Sequence, residues 1–166
     1  FLRKAPMRYV LEFFTIILPH PTKFCQYFIL LIENFNLYSD EDGVKHIRIK
    51  ARPNKWHEND CPFCHKSCPA YDKHSSRPTT WRGLDWGGIL VEVEYQTHRI
   101  ICLEHGVYVA EVPWAYPGSR FTKDFDLTVA WFASYLPRST TSYFMRVDWE
   151  TVGRCVNRAL HDLEPE

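Results

Sequence analysis

Two pairs of metal-ligating side chains constrain this chain more than any other feature. Cys61-Pro62-Phe63-Cys64 and Cys102-Leu103-Glu104-His105 each leave two residues between their potential ligands. That is the spacing of a knuckle that turns two side chains toward one ion. Together they offer three thiolates and one imidazole, a set suited to tetrahedral zinc. Four good ligands leave no obvious open position, so the expected zinc is structural rather than catalytic. A redox role for Cys61 and Cys64 is disfavoured, because no βαβ pattern surrounds them. The fourth ligand stays open at this point. Cys68 could replace His105, and His57, His65 and His74 also lie near the pairs in sequence.

Between the pairs, Thr79–Trp86 and Ile89–Tyr95 flank Gly87-Gly88, a two-residue turn signal. Ile89, Val91, Val93 and Tyr95 alternate with more polar neighbours. Knuckle, strand, turn, strand, knuckle predicts a zinc-ribbon layout in which this hairpin joins the two knuckles. Val44–Lys50 alternates as a further half-exposed strand, and Gly106–Trp114 reads as one more, ended by Pro113. The 166 residues carry no formal net charge, which argues against a general polyanion binder. Locally the balance differs. From 44 to 82, nine basic residues stand against Glu58, Asp60 and Asp72. Such an island could attract phosphate, with Trp56, Tyr71 and Trp81 available for stacking; a solvated strand face is the equal alternative. Neither apolar stretch near the start, Tyr9–Leu18 or Phe24–Ile32, reaches the roughly 20 residues that span a bilayer. Clustered cysteines without a secretory signal favour a reducing, cytoplasmic setting.

From Thr122 the period changes to that of a helix. Phe125, Val129, Phe132 and Leu136 form one stripe, Thr122 is the expected N-cap, and Pro137 stops the run. Ser139 is expected to cap a short helix over Thr140–Met145. After a tight turn at Arg146–Asp148, Asp148 caps a third helix, Trp149 to about Leu163, with Trp149, Val152, Val156, Ala159, Leu160 and Leu163 as its buried face. Short helix, turn and longer helix make a helix-turn-helix, whose second helix enters the DNA major groove. Arg154 and Asn157 suit guanine and adenine. Arg138, Arg146 and Arg158 suit phosphates, and Thr151 completes the candidate DNA-binding set. A three-helix bundle that touches no nucleic acid is the open alternative.

The order of short motifs then resembles a known family. Cys61-Pro-Phe-Cys64, Trp81-Arg82-Gly83-Leu84-Asp85, Arg99-Ile-Ile-Cys102, Glu111-Val-Pro-Trp114-Ala115 and Val147-Asp148-Trp149-Glu150-Thr151-Val152-Gly153-Arg154 stand in sequence. They are similar to the N-terminal part of the ISL-three family of bacterial insertion-sequence transposases. The resemblance covers about residues 30–163. It implies a zinc ribbon, then a helix-turn-helix that binds the terminal inverted repeats of a mobile element, ahead of a DDE catalytic domain. It carries the metal role onto Cys61, Cys64 and Cys102, with His105 standing where the family commonly has Cys.

The expected fold is thus α+β: an N-terminal extension over 1–35, a zinc-ribbon-like β domain over 36–116 and a three-helix helix-turn-helix domain over 117–166. The expected function is sequence-specific binding of double-stranded DNA, bacterial and cytoplasmic, with structural Zn2+. Self-association is left open, and no membrane partner is expected. No catalytic residue is expected, because Asp85, Asp124, Asp126 and Asp148 fall in the ribbon or at helix starts. The chain stops before the implied catalytic domain, so it is not expected to be an enzyme. The alternative is a zinc-stabilised protein-interaction module.

Overall fold

The computed structural model of the chain describes residues 30–163, apart from His74 and Ser76. The expected extension lies outside the described residues as far as residue 29. Six strands precede three helices: β1 (Leu30–Ser39), β2 (Lys45–Pro53), β3 (Thr79–Arg82), β4 (Leu90–Tyr95), β5 (Arg99–Cys102), β6 (Gly106–Val109), α1 (Lys123–Tyr135), α2 (Arg138–Met145) and α3 (Trp149–Leu163). The chain is therefore α+β. β1 begins ahead of residue 36, where the sequence places the start of the β domain.

The strands form two sheets. One has four strands in the order β1-β2-β4-β3; the other is the β5–β6 hairpin. β1 and β2 are antiparallel around the Asp40–Val44 turn, in which the Asp40 carboxylate accepts from the Val44 amide at 2.7 Å. β2 and β4 run parallel, Ile49 beside Val93. A parallel pair cannot be closed by a tight turn, and the long connection between them holds the first knuckle and β3.

This corrects the expected ribbon. The Gly87-Gly88 hairpin forms, with both glycines at positive φ (53° and 88°) and Trp86 paired with Ile89. Its strands, however, extend the four-stranded sheet instead of joining the knuckles. The register passes from Arg82↔Glu92 to Trp86↔Ile89, so one extra residue on the first arm ends regular pairing after Arg82. The hairpin of the ribbon is β5–β6. Beyond Val109 the chain leaves the strand and drives Val112 and Trp114 into the sheet core with Ala51, Trp81 and Val93. Trp81 meets Trp114 edge to face at 5.6 Å between centroids, a favoured aromatic geometry.

The helices pack around Phe125, Val129, Met145, Val152 and Cys155. Thr122 caps α1, accepting from the Phe125 amide at 3.3 Å. α2 starts at Arg138 behind Pro137 rather than behind Ser139, and the Pro137 carbonyl accepts the first helical bond, from the Thr141 amide at 3.0 Å. At residues 116–119, where the sequence places the domain boundary, Tyr116 and Ser119 are buried while Pro117 and Gly118 are exposed. Among the described residues, no helix is long and apolar enough to cross a membrane.

Candidate metal centre and nucleic-acid interface

The first knuckle is a tight loop. The His65 amide donates to the Cys61 carbonyl at 2.9 Å and the Cys61 amide to the Lys66 carbonyl at 3.0 Å, with His65 itself at positive φ. The second is the β5–β6 turn: Cys102 ends β5 and His105 precedes Gly106. The folded chain brings Cys61, Cys64, Cys102 and His105 together, with all ligand atoms within 4.8 Å of one another.

The separations test the fit to a metal. His105 Nδ1 lies 3.6 Å from Cys61 Sγ and 3.5 Å from Cys102 Sγ, and Cys64 Sγ lies 3.8 Å from Cys102 Sγ. A tetrahedral zinc with bonds of about 2.3 Å to sulfur and about 2.0 Å to nitrogen has S···S edges of about 3.8 Å and S···N edges of about 3.5 Å. These three separations match such edges, and Nδ1 is the imidazole nitrogen turned toward the sulfurs. Hydrogen bonding from His105, helped by backbone amides, pulls the Cys102 thiol down to about 6, toward the thiolate that binds metal. Phe63 covers the imidazole at 5.2 Å between centroids. Cys68 packs beside the group without joining it. Its thiol donates to the Lys66 carbonyl at 3.3 Å, and burial pushes it up to about 11. Among the described residues, this Cys3His group is the one cluster able to hold a metal.

The basic island does not survive folding as a free positive stripe. Arg48 bonds Glu92, Arg52 pairs with Glu33 at 3.0 Å, Lys50 reaches Glu94 at 3.8 Å and Lys66 bonds Glu104 at 2.6 Å. All four acidic partners lie outside the 44–82 window, so a charge count within it could not include them.

The helix-turn-helix supplies a clearer surface. Arg146 ends α2 in the left-handed conformation (φ 53°), and the Val147 amide reaches back to the Ser142 carbonyl at 3.2 Å, closing a Schellman-type turn. Asp148 then caps α3: Oδ1 accepts from the Thr151 amide at 2.7 Å and Oδ2 from the Thr151 hydroxyl at 2.6 Å. These bonds hold the Asp148 carboxyl below its usual range.

The five candidate DNA contacts separate. Arg146, Arg154 and Asn157 are exposed. Arg154 donates to the Thr151 hydroxyl at 3.0 Å, which steadies its guanidinium at the start of α3. Thr151 is buried behind Asp148. Arg158 is turned inward, with Nε and Nη2 each 2.8 Å from the carboxylate of fully buried Asp126 on α1. The buried face of α3 is Thr151, Val152, Cys155 and Ala159, whereas Trp149 (59% exposed) and Leu160 (51%) face outward. Val152 and Ala159 are buried as expected, whereas Thr151 and Cys155 fill the places expected of larger apolar side chains. Outward-facing Trp149 is overlaid by the Arg138 guanidinium at 5.7 Å, and that same group crosses Gly153, where a side chain would begin 3.5 Å away.

Two further residues matter that periodicity could not find. Arg82 and Asp85 lie in the β3–β4 arm, yet Arg82 donates to the carbonyls of Arg146 (2.8 Å) and Met145 (3.0 Å) and to Asp85 (3.3 Å). Asp85 in turn lies 3.5 Å from the Arg146 guanidinium. The sheet thus grips the helix-turn-helix at its turn. The signal available in the sequence was only the Trp81–Asp85 motif within the resemblance.

Comparison with known proteins follows this geometry. Residues 110–160 match the family described as the helix-turn-helix domain of transposase family ISL3. The match begins at Ala110 and so includes the packed segment ahead of α1. Over 136 residues the chain is 35% identical to proteins named as the transposase for insertion sequence element IS1557 in two strains of Mycobacterium tuberculosis, CDC 1551 / Oshkosh and ATCC 25618 / H37Rv. The alignment covers 81% of this chain and 30% of each relative, so the chain spans about a third of the length of the curated relatives it matches. No solved structure matches it.

Proposed function

We propose that this chain is an N-terminal region of an ISL3-type insertion-sequence transposase and that it binds double-stranded DNA at the terminal inverted repeats of a mobile element. α3 enters the major groove, where Arg154 and Asn157 read base edges, while Arg138 and Arg146 hold phosphates. Zn2+ on Cys61, Cys64, Cys102 and His105 is structural, and the region is non-catalytic by itself. Its aspartates support that division of labour: Asp126 serves Arg158, Asp148 caps α3 and Asp85 serves the helix-turn-helix turn. The observation that carries the reading is the capped third helix, which presents Arg154 and Asn157 to solvent behind a tight turn. The zinc-loaded chain should enrich a convergent sequence from a random duplex library. Arg154→Ala and Asn157→Ala should each weaken the selected duplex by about 1–3 kcal/mol while leaving thermal stability unchanged. A library that fails to converge, or equal affinity for selected and scrambled duplexes, refutes sequence-specific recognition.

A second reading has its own observation. Trp131 and Tyr135 on α1 and Tyr143 and Phe144 on α2 are all exposed, which favours a protein-binding face, a second copy included. On that reading alone, the substitutions on α3 leave association intact and the library stays unselected.

A further inference from the structure

We propose that Asp85 restrains the affinity of this helix-turn-helix for DNA by competing with phosphate for Arg146. The inference rests on the DNA-binding reading above and adds a device to it. Arg146 occupies the turn directly ahead of α3, where a cation meets the DNA backbone as the helix enters the groove. Its side chain is half exposed, and its open side borders a groove of about 630 Å³ between the Gly43–Lys45 and Gly87–Ile89 turns. Yet its guanidinium is not free. Nη1 lies 3.5 Å from Asp85 Oδ2, and Asp85 Oδ1 accepts from Arg82 at 3.3 Å.

Arg82 Nη2 is shared between Asp85 and the Met145 carbonyl, and its Nη1 donates to the Arg146 carbonyl, which holds Asp85 beside the turn. The three side chains thus form a cluster of two positive charges around one negative charge. A phosphate that approaches Arg146 must compete with Asp85 and is repelled by it. Parting the pair costs the same whatever the base sequence, so the competition lowers affinity for random and selected duplexes alike. Asp85 is a positioning residue that acts through Arg146, with no contact to DNA of its own.

The test measures affinity for a random-sequence duplex and for the library-selected duplex over a range of salt, with the zinc-loaded chain and its Asp85→Asn variant. Asparagine keeps the size and the acceptor for Arg82 and removes only the charge. The expected result is random-duplex binding roughly three- to ten-fold tighter at low salt, a salt slope steeper by about one, and a gain of similar size on the selected duplex. Most of the gain should vanish in an Arg146→Gln background. Unchanged or weaker binding of random duplex overturns the proposal, as does an equal gain in the Arg146→Gln background, since that would reflect only general charge. Asp85→Ser, which also removes the charge, repeats the measurement if the asparagine variant does not fold. A parent chain that binds no duplex at all fails the DNA-binding reading itself; a parent that binds, with silent Asp85 variants, fails only this inference.

Discussion

Arg154 and Arg158 stand one helical turn apart on α3 and carry the same charge, yet they do different work. Arg158 is held by two 2.8 Å bonds to a carboxylate with no exposure to solvent, and the Ser119 hydroxyl donates to the same carboxylate at 3.2 Å. The pair joins α1 to α3 across the helical core. Removing one member leaves an uncompensated buried charge, which typically costs about 3–5 kcal/mol. Arg158→Ala should therefore lower the urea-unfolding free energy by about that amount, whereas Arg154→Ala should change it by less than about 0.5 kcal/mol. Equal small losses from the two substitutions would mean that Arg158 is as free as its neighbour and belongs with the DNA contacts. The sequence could not separate them: both fall off the large-apolar stripe, and the acid that claims Arg158 lies a helix away and reads locally as a helix-start residue.

At the scale of elements, the two knuckles were readable and their carriers were not. Cysteine and histidine spacing is a local property, so Cys61, Cys64, Cys102 and His105 could be named from the chain alone, and the helix-turn-helix could be read from Pro137, the Arg146–Asp148 turn and a period near 3.6. Which strand joins which is not local. The Gly87-Gly88 turn guarantees a hairpin, but alternation fits any free sheet edge, and this hairpin took the edge offered by β2. The choice between His105 and Cys68 was likewise a matter of distance. His105 Nδ1 sits 3.6 and 3.5 Å from the sulfurs of Cys61 and Cys102; the Cys68 thiol donates to the Lys66 carbonyl, and burial pushes it up to about 11. Native mass spectrometry should find one zinc per chain in Cys68→Ser, and loss of zinc in His105→Ala at chelator concentrations the parent withstands. Retention in His105→Ala together with loss in Cys68→Ser would reverse the assignment.

For the whole molecule, the question is whether the sheet and the helix-turn-helix are two bodies or one. Arg82 argues for one. Its backbone amide donates to the Arg120 carbonyl and its carbonyl accepts from the Thr122 amide, each at 2.9 Å, so β3 is continued by the chain that enters α1. Its side chain lies 5.1 Å from the Phe125 ring centroid and ends on the last carbonyls of α2 and the turn. Those carbonyls form the negative end of a helix, where a cation is favoured. No other residue type combines this reach with several donors in one plane. If Arg82 is the clamp, amides in β4 and α3 should exchange with solvent through openings of matching free energy in the parent chain. In Arg82→Ala the two carbonyls and Asp85 lose their donor, and α3 should open more readily than β4 by about 1–3 kcal/mol. DNA affinity should fall with it, although no residue on the outer face of α3 has changed, because the helix is no longer registered against the sheet. Hydrogen exchange that stays matched in the variant would show that the apolar contacts of Leu84 and Phe121 with the helical core suffice to join the two halves, and that Arg82 adds no coupling of its own.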